Sequence, residues 1–357
     1  MVATRNSPCV QHGFECESDS HHPAATRCRQ SFAMAAPPTE TLRDLDVAAT
    51  SHRGDRIFNR GITVAAFTAL LVLAGIAIFL GIAAVEAITT QGWSFLFTTE
   101  WKVDQGDEPV AGIWGMLYGS VLLAVIGLVI AVPVSLLLSI FIVFLAPRRL
   151  ARMMTNVIDL MAAIPSIILG LWAFYLLSPP AEQWQFLLNK YLGWIPIFQN
   201  DSGNFNGTPF IAGFVLGFMM IPIITSVSRE VLGRTPPELI NAAEALGCSL
   251  WTMLRHVALP YGRGGIVGGI MLGLGRALGE TIAIFFVLKL VYDINWYKII
   301  ESEGGSVATL IVATFGEVSG PYELNLLLAA GFFLFVGTLA VNVIANLIVQ
   351  KTGRSER

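Results

Sequence analysis

Hydrophobic positions in this chain cluster into long apolar runs separated by polar segments. About six of these runs approach the roughly 20 residues that cross a bilayer as an α-helix. The pattern therefore predicts an all-α, polytopic membrane protein with about six transmembrane helices. The second run is long and contains Pro133, which predicts a tilted, kinked or protruding helix. The predicted spans are Thr63–Ala87, Met116–Ala146, Val157–Leu177, Phe210–Ser228, Gly264–Leu290 and Leu324–Val349.

Composition agrees with a membrane protein and excludes one class of partner. Hydrophobic residues make up 54% of the 357 residues, charged residues make up 13%, and the mean hydropathy is +0.66. A soluble domain could not bury so much apolar surface in one core, so lipid is the expected solvent. The net charge is -3 and no basic stripe is present, so we expect no binding of nucleic acid.

Basic residues occur in alternate inter-run segments, and such segments are typically cytoplasmic. They precede the first run, follow the second, separate the fourth from the fifth and follow the sixth. A multi-pass protein of the plasma (inner) membrane with both termini in the cytoplasm is therefore predicted. The largest outer loop, Ser178–Thr208, contains a predicted interfacial helix. The basic residues are Arg56, Arg60, Arg148, Arg149, Arg152, Arg229, Arg234, Arg255, Arg263, Lys351, Arg354 and Arg357.

The chain divides into three predicted segments. Residues 1–60 are expected to form a disordered, polar cytoplasmic tail, in which Met34 is a second candidate start. Residues 61–352 form the transmembrane domain, and residues 353–357 form a cytoplasmic end. Cys9, Cys16 and Cys28 accompany histidines in the tail, but their spacing matches no zinc pattern, so a metal site and an uninformative tail both stay open.

Two opposite charges lie near the centre of the fifth run. A guanidinium there costs about 3 kcal/mol, so it normally faces a bundle interior or a solute path. Arg276 and Glu280 are four residues apart, which places them on one face of a continuous helix and predicts a site for a small anion. A purely structural buried pair is the alternative. Near the third run, Asp159 is expected to pair with Arg149 or Arg152.

Small residues recur at every fourth position of the fifth run. Such stripes allow a neighbouring helix to approach closely in lipid. The two stripes are Gly265, Gly269, Gly273 and Ala277, and Gly275 and Gly279.

The basic segment over residues 230–262 has the signals of a helix-turn-helix. Thr235 to Glu238 form a capping box with proline at the first helical position, and Gly247 ends this helix. Ser249 caps a second short helix, Leu250–His256, which Pro260 follows. The segment could dock a partner or could pack on its own bundle.

Several enzyme signatures are absent from the sequence. It contains no Gly-Lys dipeptide and so no phosphate-binding loop for ATP, which means that energy must come from another chain. It also lacks the G-x-S-x-G and H-E-x-x-H motifs. We therefore expect a transport subunit without cofactors rather than an enzyme.

The stretch NAAEALGCSLWTMLRHVALP resembles the loop that marks permease subunits of ABC importers, in which it couples the permease to the ATPase. Asn241 stands where that family usually has Glu, which puts one polar contact with the ATPase in doubt. The resemblance implies a type I (MetI-like) permease fold. The coupling residues that it implies are Ala242, Ala243, Glu244, Gly247, Leu259 and Pro260.

Three further stretches, IPSIILGLWAF, MIPIITSVSRE and GLGRALGETIAIFFV, resemble the PstC-type permease of phosphate importers. The similarity extends over Arg56–Gln350. It implies phosphate import by alternating access and a translocation site at Arg276, Glu280 and Thr281. The implied partners are a second homologous permease, two ATP-binding subunits and an extracytoplasmic phosphate-binding protein. Import of sulfate or molybdate, an ion-coupled carrier and a membrane enzyme are the alternatives.

Two roles for Glu280 follow from this resemblance. Its carboxylate could hold Arg276 in an ion pair when the path is empty. It could instead accept the proton that hydrogen phosphate carries and that sulfate lacks at neutral pH.

Overall fold

A computed structural model describes residues 53–354 except 103–109, 293, 295 and 319. Most of the predicted tail, with its cysteines and histidines, lies outside the described residues. The first helix begins at Arg53, so the last residues of the predicted tail segment are helical: RGDRIFNRG contains no helix-breaking proline and runs directly into the apolar span. Contacts divide the chain into two units, Met1–Thr68 and Ala69–Arg357, and the boundary falls within this helix.

The described elements are helical apart from one small antiparallel ribbon. In the ribbon, β1 (Trp101–Lys102) pairs with β2 (Val110–Ala111), with Trp101 opposite Ala111. The helices are α1 (Arg53–Gln91), α2 (Ser94–Phe97), α3 (Trp114–Ile140), α4 (Arg148–Ala163), α5 (Ser166–Trp172), α6 (Ser178–Leu192), α7 (Pro209–Gly233), α8 (Pro237–Ala245), α9 (Leu250–Met253), α10 (Leu259–Leu278), α11 (Ile282–Val287), α12 (Val307–Phe315) and α13 (Pro321–Arg354).

Among the described residues, five helices are long and apolar enough to cross a membrane, and a bent helix pair raises the number to six. The predicted all-α architecture with about six spans is therefore confirmed. The five are Ile57–Gln91, Trp114–Leu145, Pro209–Gly233, Leu250–Leu278 and Pro321–Ile344, and the bent pair is Arg148–Ala163 with Ser166–Leu192.

The third predicted span is not one straight helix. The axes of Arg148–Ala163 and Ser166–Leu192 differ by 94°. The bend lies at Ile164, whose backbone is extended at φ -67° and ψ 126°. Pro165 imposes this conformation, because its ring disfavours a helical residue before it. The expected span Val157–Leu177 therefore includes the bend between α4 and α5 and is not a single straight helix.

Three π-helical turns, Phe141–Leu145, Ala173–Leu177 and Leu254–Ala258, each end two residues before a proline. In each turn the last N–H bonds the carbonyl five residues back, as from Leu259 to Leu254. Before Pro179 and Pro260 the wider turn lets the helix continue past a proline ring that would clash with the carbonyl four residues back in a regular helix. At Pro147 the helix ends instead, because Ala146 is extended with ψ 135°. The expectation that Pro260 follows the end of the second short helix is therefore wrong, because one helix runs from Leu250 to Leu278.

Glycines bring the central helices together. A methyl group on Gly265 would lie 2.3 Å from Val231 Cγ2 of α7, and one on Gly273 would lie 3.0 Å from Ile224 Cγ1. The predicted stripe Gly265, Gly269 and Gly273 thus forms the contact between α10 and α7. A methyl group on Gly275, in the second stripe, would have no atom within 4 Å, so Gly275 lies on the opposite, unpacked face of α10.

The segment over residues 288–306 docks on the start of α3. A methyl group on Gly119 would lie 1.9 Å from the Gly305 carbonyl oxygen, so only glycine allows this approach. The Ser120 hydroxyl accepts the Val307 N–H at 3.1 Å. Ser306 caps α12 through Thr309, forming a short helix that the apolar pattern does not reveal.

Glu301 joins this segment to the loop before α7. Its side chain is only 4% exposed, and its carboxylate accepts the N–H groups of Asp201 at 2.9 Å and Ser202 at 3.2 Å. Lys298 hydrogen-bonds the Asp201 carboxylate and so holds the pKa of Asp201 below its usual range. The ion pair between Lys298 and Asp201 is therefore present at neutral pH and is lost as the pH falls through the lowered pKa of Asp201.

The contact at Gly119 generates a stability prediction. Gly119→Ala should destabilise the protein by about 1–3 kcal/mol, because the methyl group overlaps backbone that cannot rotate away. Thermal unfolding of the purified protein in detergent measures the change. Gly75→Ala is the matched control, since Gly75 lies in α1 with nothing within 4 Å. Equal melting temperatures for the two variants would contradict the docking of residues 288–306 on α3.

Candidate functional site

The fifth span contains a break at the residues that the sequence marks as functional. Helix α10 ends at Leu278, and the Gly279 N–H bonds the Gly275 carbonyl at 3.3 Å. Glu280 and Thr281 lie in no helix, and α11 begins at Ile282. Gly279 has a low helix propensity, and the β-branched Thr281 and Ile282 follow it, so the break falls where helical preference is weakest.

Arg276 and Glu280 lie on opposite sides of this structural change. The Arg276 side chain is exposed, whereas Glu280 is only 8% exposed. Among the described residues neither side chain has a hydrogen bond or an ion pair. The prediction that both lie on one helical face is wrong, because the helix ends before Glu280 and its direction is no longer set by the α-helical period.

The face that carries Arg276 is open. Ala277 and Leu278 turn into the main core with α3 and α7, while Gly275 has open space beyond it. The Thr281 hydroxyl donates to the Gly279 carbonyl at 3.2 Å and so closes the turn. A guanidinium therefore stands on an unpacked surface beside a helix break and a buried carboxylate. This arrangement can offer several N–H donors to an anion.

A second polar group lies where α4 meets α7. Asp159 Oδ1 is 3.9 Å from a terminal nitrogen of Arg229, so the predicted pairing with Arg149 or Arg152 is wrong. The bend at Pro165 directs α4 along α7 and brings the two residues together. Close by on α7, the buried Thr225 and Ser228 hydroxyls have no hydrogen-bond partner in the described structure. Only the folded arrangement of α4 and α7 could reveal this group.

The predicted helix-turn-helix forms with a Schellman turn. Gly247 has φ +76°, and its N–H bonds the Glu244 carbonyl at 2.9 Å. The Cys248 N–H bonds the Ala243 carbonyl at 3.1 Å, which completes the motif. Ser249 then caps α9 by accepting the Thr252 N–H at 3.3 Å. The predicted roles of Gly247 and Ser249 as helix stop and cap are confirmed.

The expected capping box at the start of α8 does not form. Helix α8 begins at Pro237 and its N-cap is Pro236, which has no side chain for capping. Thr235 lies one position too early, and its hydroxyl donates to the Leu232 carbonyl at 2.8 Å instead. Two successive prolines move the helix start by one residue, and the box is lost.

The two faces of the hairpin differ. Ala243 is buried with Met253 and Leu254 and packs α8 on the protein's own bundle. Ala242 and Glu244 are exposed on the other face. Leu246 is 84% exposed and Trp251 is 64% exposed. Leu259 is half-buried and Pro260 is exposed at the start of α10. One face of this segment therefore packs on the protein's own bundle, and the other face presents exposed apolar surface.

Comparison with known proteins places this architecture. The family model described as binding-protein-dependent transport system inner membrane component matches residues 135–354, more than half of the chain. The chain belongs to this family. Its members pair with ATP-binding subunits and a substrate-binding protein. The chain is thus a membrane-embedded transport component rather than an enzyme.

Curated relatives match most of this permease. It is 38% identical over 300 residues to the phosphate transport system permease protein PstC 2 of Mycobacterium tuberculosis, which covers 84% of this chain and 92% of the relative. It is 38% identical over 313 residues to the phosphate transport system permease protein PstC of Xylella fastidiosa, with 85% and 93% covered.

Solved structures show the same fold. The permease resembles a chain in the crystal structure of a bacterial ABC transporter involved in the import of the acidic polysaccharide alginate, with a TM-score of 0.54 and 17% identity. The match covers 84% of this chain and 99% of that chain. The predicted type I (MetI-like) ABC importer fold is confirmed.

The Schellman turn of the hairpin generates the second prediction. Gly247→Val should strain the left-handed position by about 1–2 kcal/mol and break the Cys248 N–H bond. The half-buried Cys248 thiol should then react faster with a maleimide in the purified protein. Gly233→Val is the matched control, because Gly233 has neither a positive φ nor a neighbour within 4 Å. Unchanged reactivity at Cys248 in Gly247→Val would contradict this account of the turn.

Proposed function

We propose that this chain is the permease subunit of an ATP-driven importer that carries inorganic phosphate by alternating between outward-open and inward-open states. The observation that carries the proposal is the 38% identity to phosphate transport system permeases over 84% or more of the chain. The unpaired Arg276 at mid-span adds a physical reason. A guanidinium offers a planar fork of donors that matches the oxygens of phosphate.

The translocation site proposed here consists of Arg276, Glu280 and Thr281. Arg276 attracts and orients the anion from the open face of α10. Among the described residues Glu280 has no ion pair, which favours the second of its two predicted roles: accepting the proton that hydrogen phosphate carries. Sulfate has no such proton at neutral pH and would meet a repulsive carboxylate. Thr281 stabilises the break between Arg276 and Glu280 through the hydrogen bond from its hydroxyl to the Gly279 carbonyl.

The partners proposed are a second homologous permease, two ATP-binding subunits and an extracytoplasmic phosphate-binding protein. The ATP-binding subunits carry the nucleotide, so this chain itself needs no cofactor. The exposed side of the α8–α9 hairpin, with Ala242, Glu244 and Leu246, is the surface that an ATP-binding subunit would cover. Ala243, which is buried, and Gly247, which ends α8, shape that surface; Leu259 and Pro260 continue it into α10.

The orientation proposed places both termini and the hairpin in the cytoplasm. The basic residues that flank the spans support it, because such residues are retained on the cytoplasmic side. Residues 178–208 and 288–306 then face outwards, which is the side from which a binding protein delivers its solute.

The third prediction tests the solute. In the purified complex, phosphate with its binding protein should stimulate ATP hydrolysis, whereas sulfate and molybdate should not. Arg276→Gln should lower phosphate uptake at least about tenfold, as expected for losing a hydrogen bond between charged groups. Arg276→Lys should rescue uptake poorly, because an ammonium cannot reproduce the planar fork. Radiolabelled phosphate uptake into proteoliposomes provides the measurement.

Two further variants complete this test. Arg149→Gln removes an exposed arginine outside the proposed site and should leave uptake unchanged. Because Arg276 and Glu280 are not paired, Arg276→Gln combined with Glu280→Gln should stay inactive. Near-normal phosphate uptake by this double variant would leave Arg276 without a translocation role. Stimulation by sulfate alone would point to a different oxyanion.

The fourth prediction tests orientation. The four native cysteines are first replaced, and single cysteines are then introduced at Asn204 and Thr155. An impermeant thiol reagent added to whole cells should label Asn204→Cys only, since residues 178–208 are proposed to face outwards. Permeabilised cells serve as the control for access to Thr155→Cys. Labelling of Thr155→Cys alone in intact cells would invert the topology.

A further inference from the structure

An open cavity of about 380 Å³ lies at the far end of α11 from the helix break. Under the orientation proposed above it opens on the outer side. Its lining combines polar groups with two aromatic rings, and none of the lining residues belongs to the translocation site or to the hairpin described above. Those that matter here are Phe174, Asn204, Asn206, Gly207, Phe286 and Lys289.

The loop before α7 is built to approach Lys289. Gly207 has φ +68°, and its carbonyl accepts the Lys289 N–H at 3.1 Å. A methyl group on Gly207 would lie 2.8 Å from the Lys289 backbone nitrogen. Two features therefore require glycine at position 207: the left-handed backbone and the close approach to Lys289. This contact fixes the loop that carries Asn204 and Asn206 beside the lysine.

The Asn204 carboxamide of this cavity is oriented as a donor. Asn204 Oδ1 accepts the Asn206 N–H at 3.0 Å, which leaves the amide NH₂ of Asn204 free to donate to a ligand. The Asn206 carbonyl accepts the Ser302 hydroxyl at 2.6 Å, and this bond ties the loop to residues 288–306. The anchored Asn204 side chain, the residue Asn206 and the Lys289 ammonium group thus line one cavity.

Lys289 differs from the other lysines of the proposed outer side. Lys102 pairs with Glu100, Lys298 pairs with Asp201, and Lys190 lies 5.8 Å from the centre of the Tyr191 ring. The Lys289 side chain is exposed and has no hydrogen bond or ion pair in the described part of the chain. An ammonium without a counterion beside amide donors is suited to an oxyanion.

The position of the cavity relates it to the break in the fifth span. Helix α11 has six residues and rises about 9 Å. It begins directly after Glu280 and Thr281, and Lys289 follows shortly after its end. An anion held at Lys289 is therefore separated from the break that contains Glu280 and Thr281 by about the length of α11.

We propose that Lys289, with Asn204 and Asn206, forms an outer capture site that takes up phosphate released by the binding protein before it reaches Arg276. The proposal rests on the phosphate-import function given above. Capture matters because a released anion otherwise diffuses back to bulk solvent during the outward-open state. The acid-rich outer loops, such as exposed Glu303, would repel phosphate without a local cation.

The test compares phosphate imported per ATP hydrolysed in proteoliposomes that contain the complete complex and saturating binding protein. Lys289→Gln should lower this ratio about tenfold, the factor for losing one charge-assisted hydrogen bond. ATP hydrolysis stimulated by the binding protein should stay unchanged. Lys289→Arg should retain most of the ratio. Lys190→Gln is the matched control, because it removes an exposed lysine of the same side that lies outside the cavity.

A second variant does not depend on Lys289. Asn204→Asp keeps the oxygen that accepts the Asn206 N–H but adds a negative charge, so it should lower the ratio as well. A normal ratio in both Lys289→Gln and Asn204→Asp would overturn the capture site. Loss of stimulated ATP hydrolysis in Lys289→Gln would also overturn it, since the lysine would then pair with a partner chain. Failure of the unmodified complex to import phosphate would overturn both the site and the proposed function.

Discussion

The structure depends on one constraint: in lipid, each backbone N–H and C=O must find its partner within the protein. The chain contains prolines within or beside its apolar spans and so loses donors at fixed positions. π-helical turns let helices continue past Pro179 and Pro260, whereas at Pro147 the helix ends and Ala146 is extended. At Pro165 the chain bends by 94° instead. The shape of the bundle follows from which solution each proline takes.

Close packing then divides α10 into two faces. One face carries Gly265, Gly269 and Gly273, and side chains of α7 fill the space that these glycines leave. In lipid such contacts supply much of the association between helices, because burial of apolar surface gains little there. On the other face Arg276 is exposed, and a methyl group on Gly275 would meet no atom within 4 Å among the described residues. A charge can persist at mid-span on this face because an aqueous path or a second subunit, rather than lipid, is its proposed environment.

The sequence is sufficient for features that depend on local chemistry. Apolar runs predict the spans, and Gly247 predicts a left-handed helix end, because each signal acts within a few residues. The break after Leu278 is different, since Gly279 is also compatible with a continuous small-residue stripe and only packing decides between the two. Likewise, the sequence offers Arg149 and Arg152 as partners of Asp159, and the bend at Pro165 selects Arg229 instead. Packing between distant parts of the chain determines the helix break and the partner of Asp159, and no short sequence motif predicts either.

A single helix connects the two proposed sites. It runs without interruption from Leu250 in the hairpin to Leu278 at the break, a rise of about 43 Å over 29 residues. The π-helical turn at Leu254–Ala258 lets this helix pass Pro260 intact. A rigid element that two sites share can bias both, which is the physical requirement for coupling. If an ATP-binding subunit moves the hairpin, the end of α10 moves with it, and the environment of Arg276 and Glu280 changes without any separate relay of side chains.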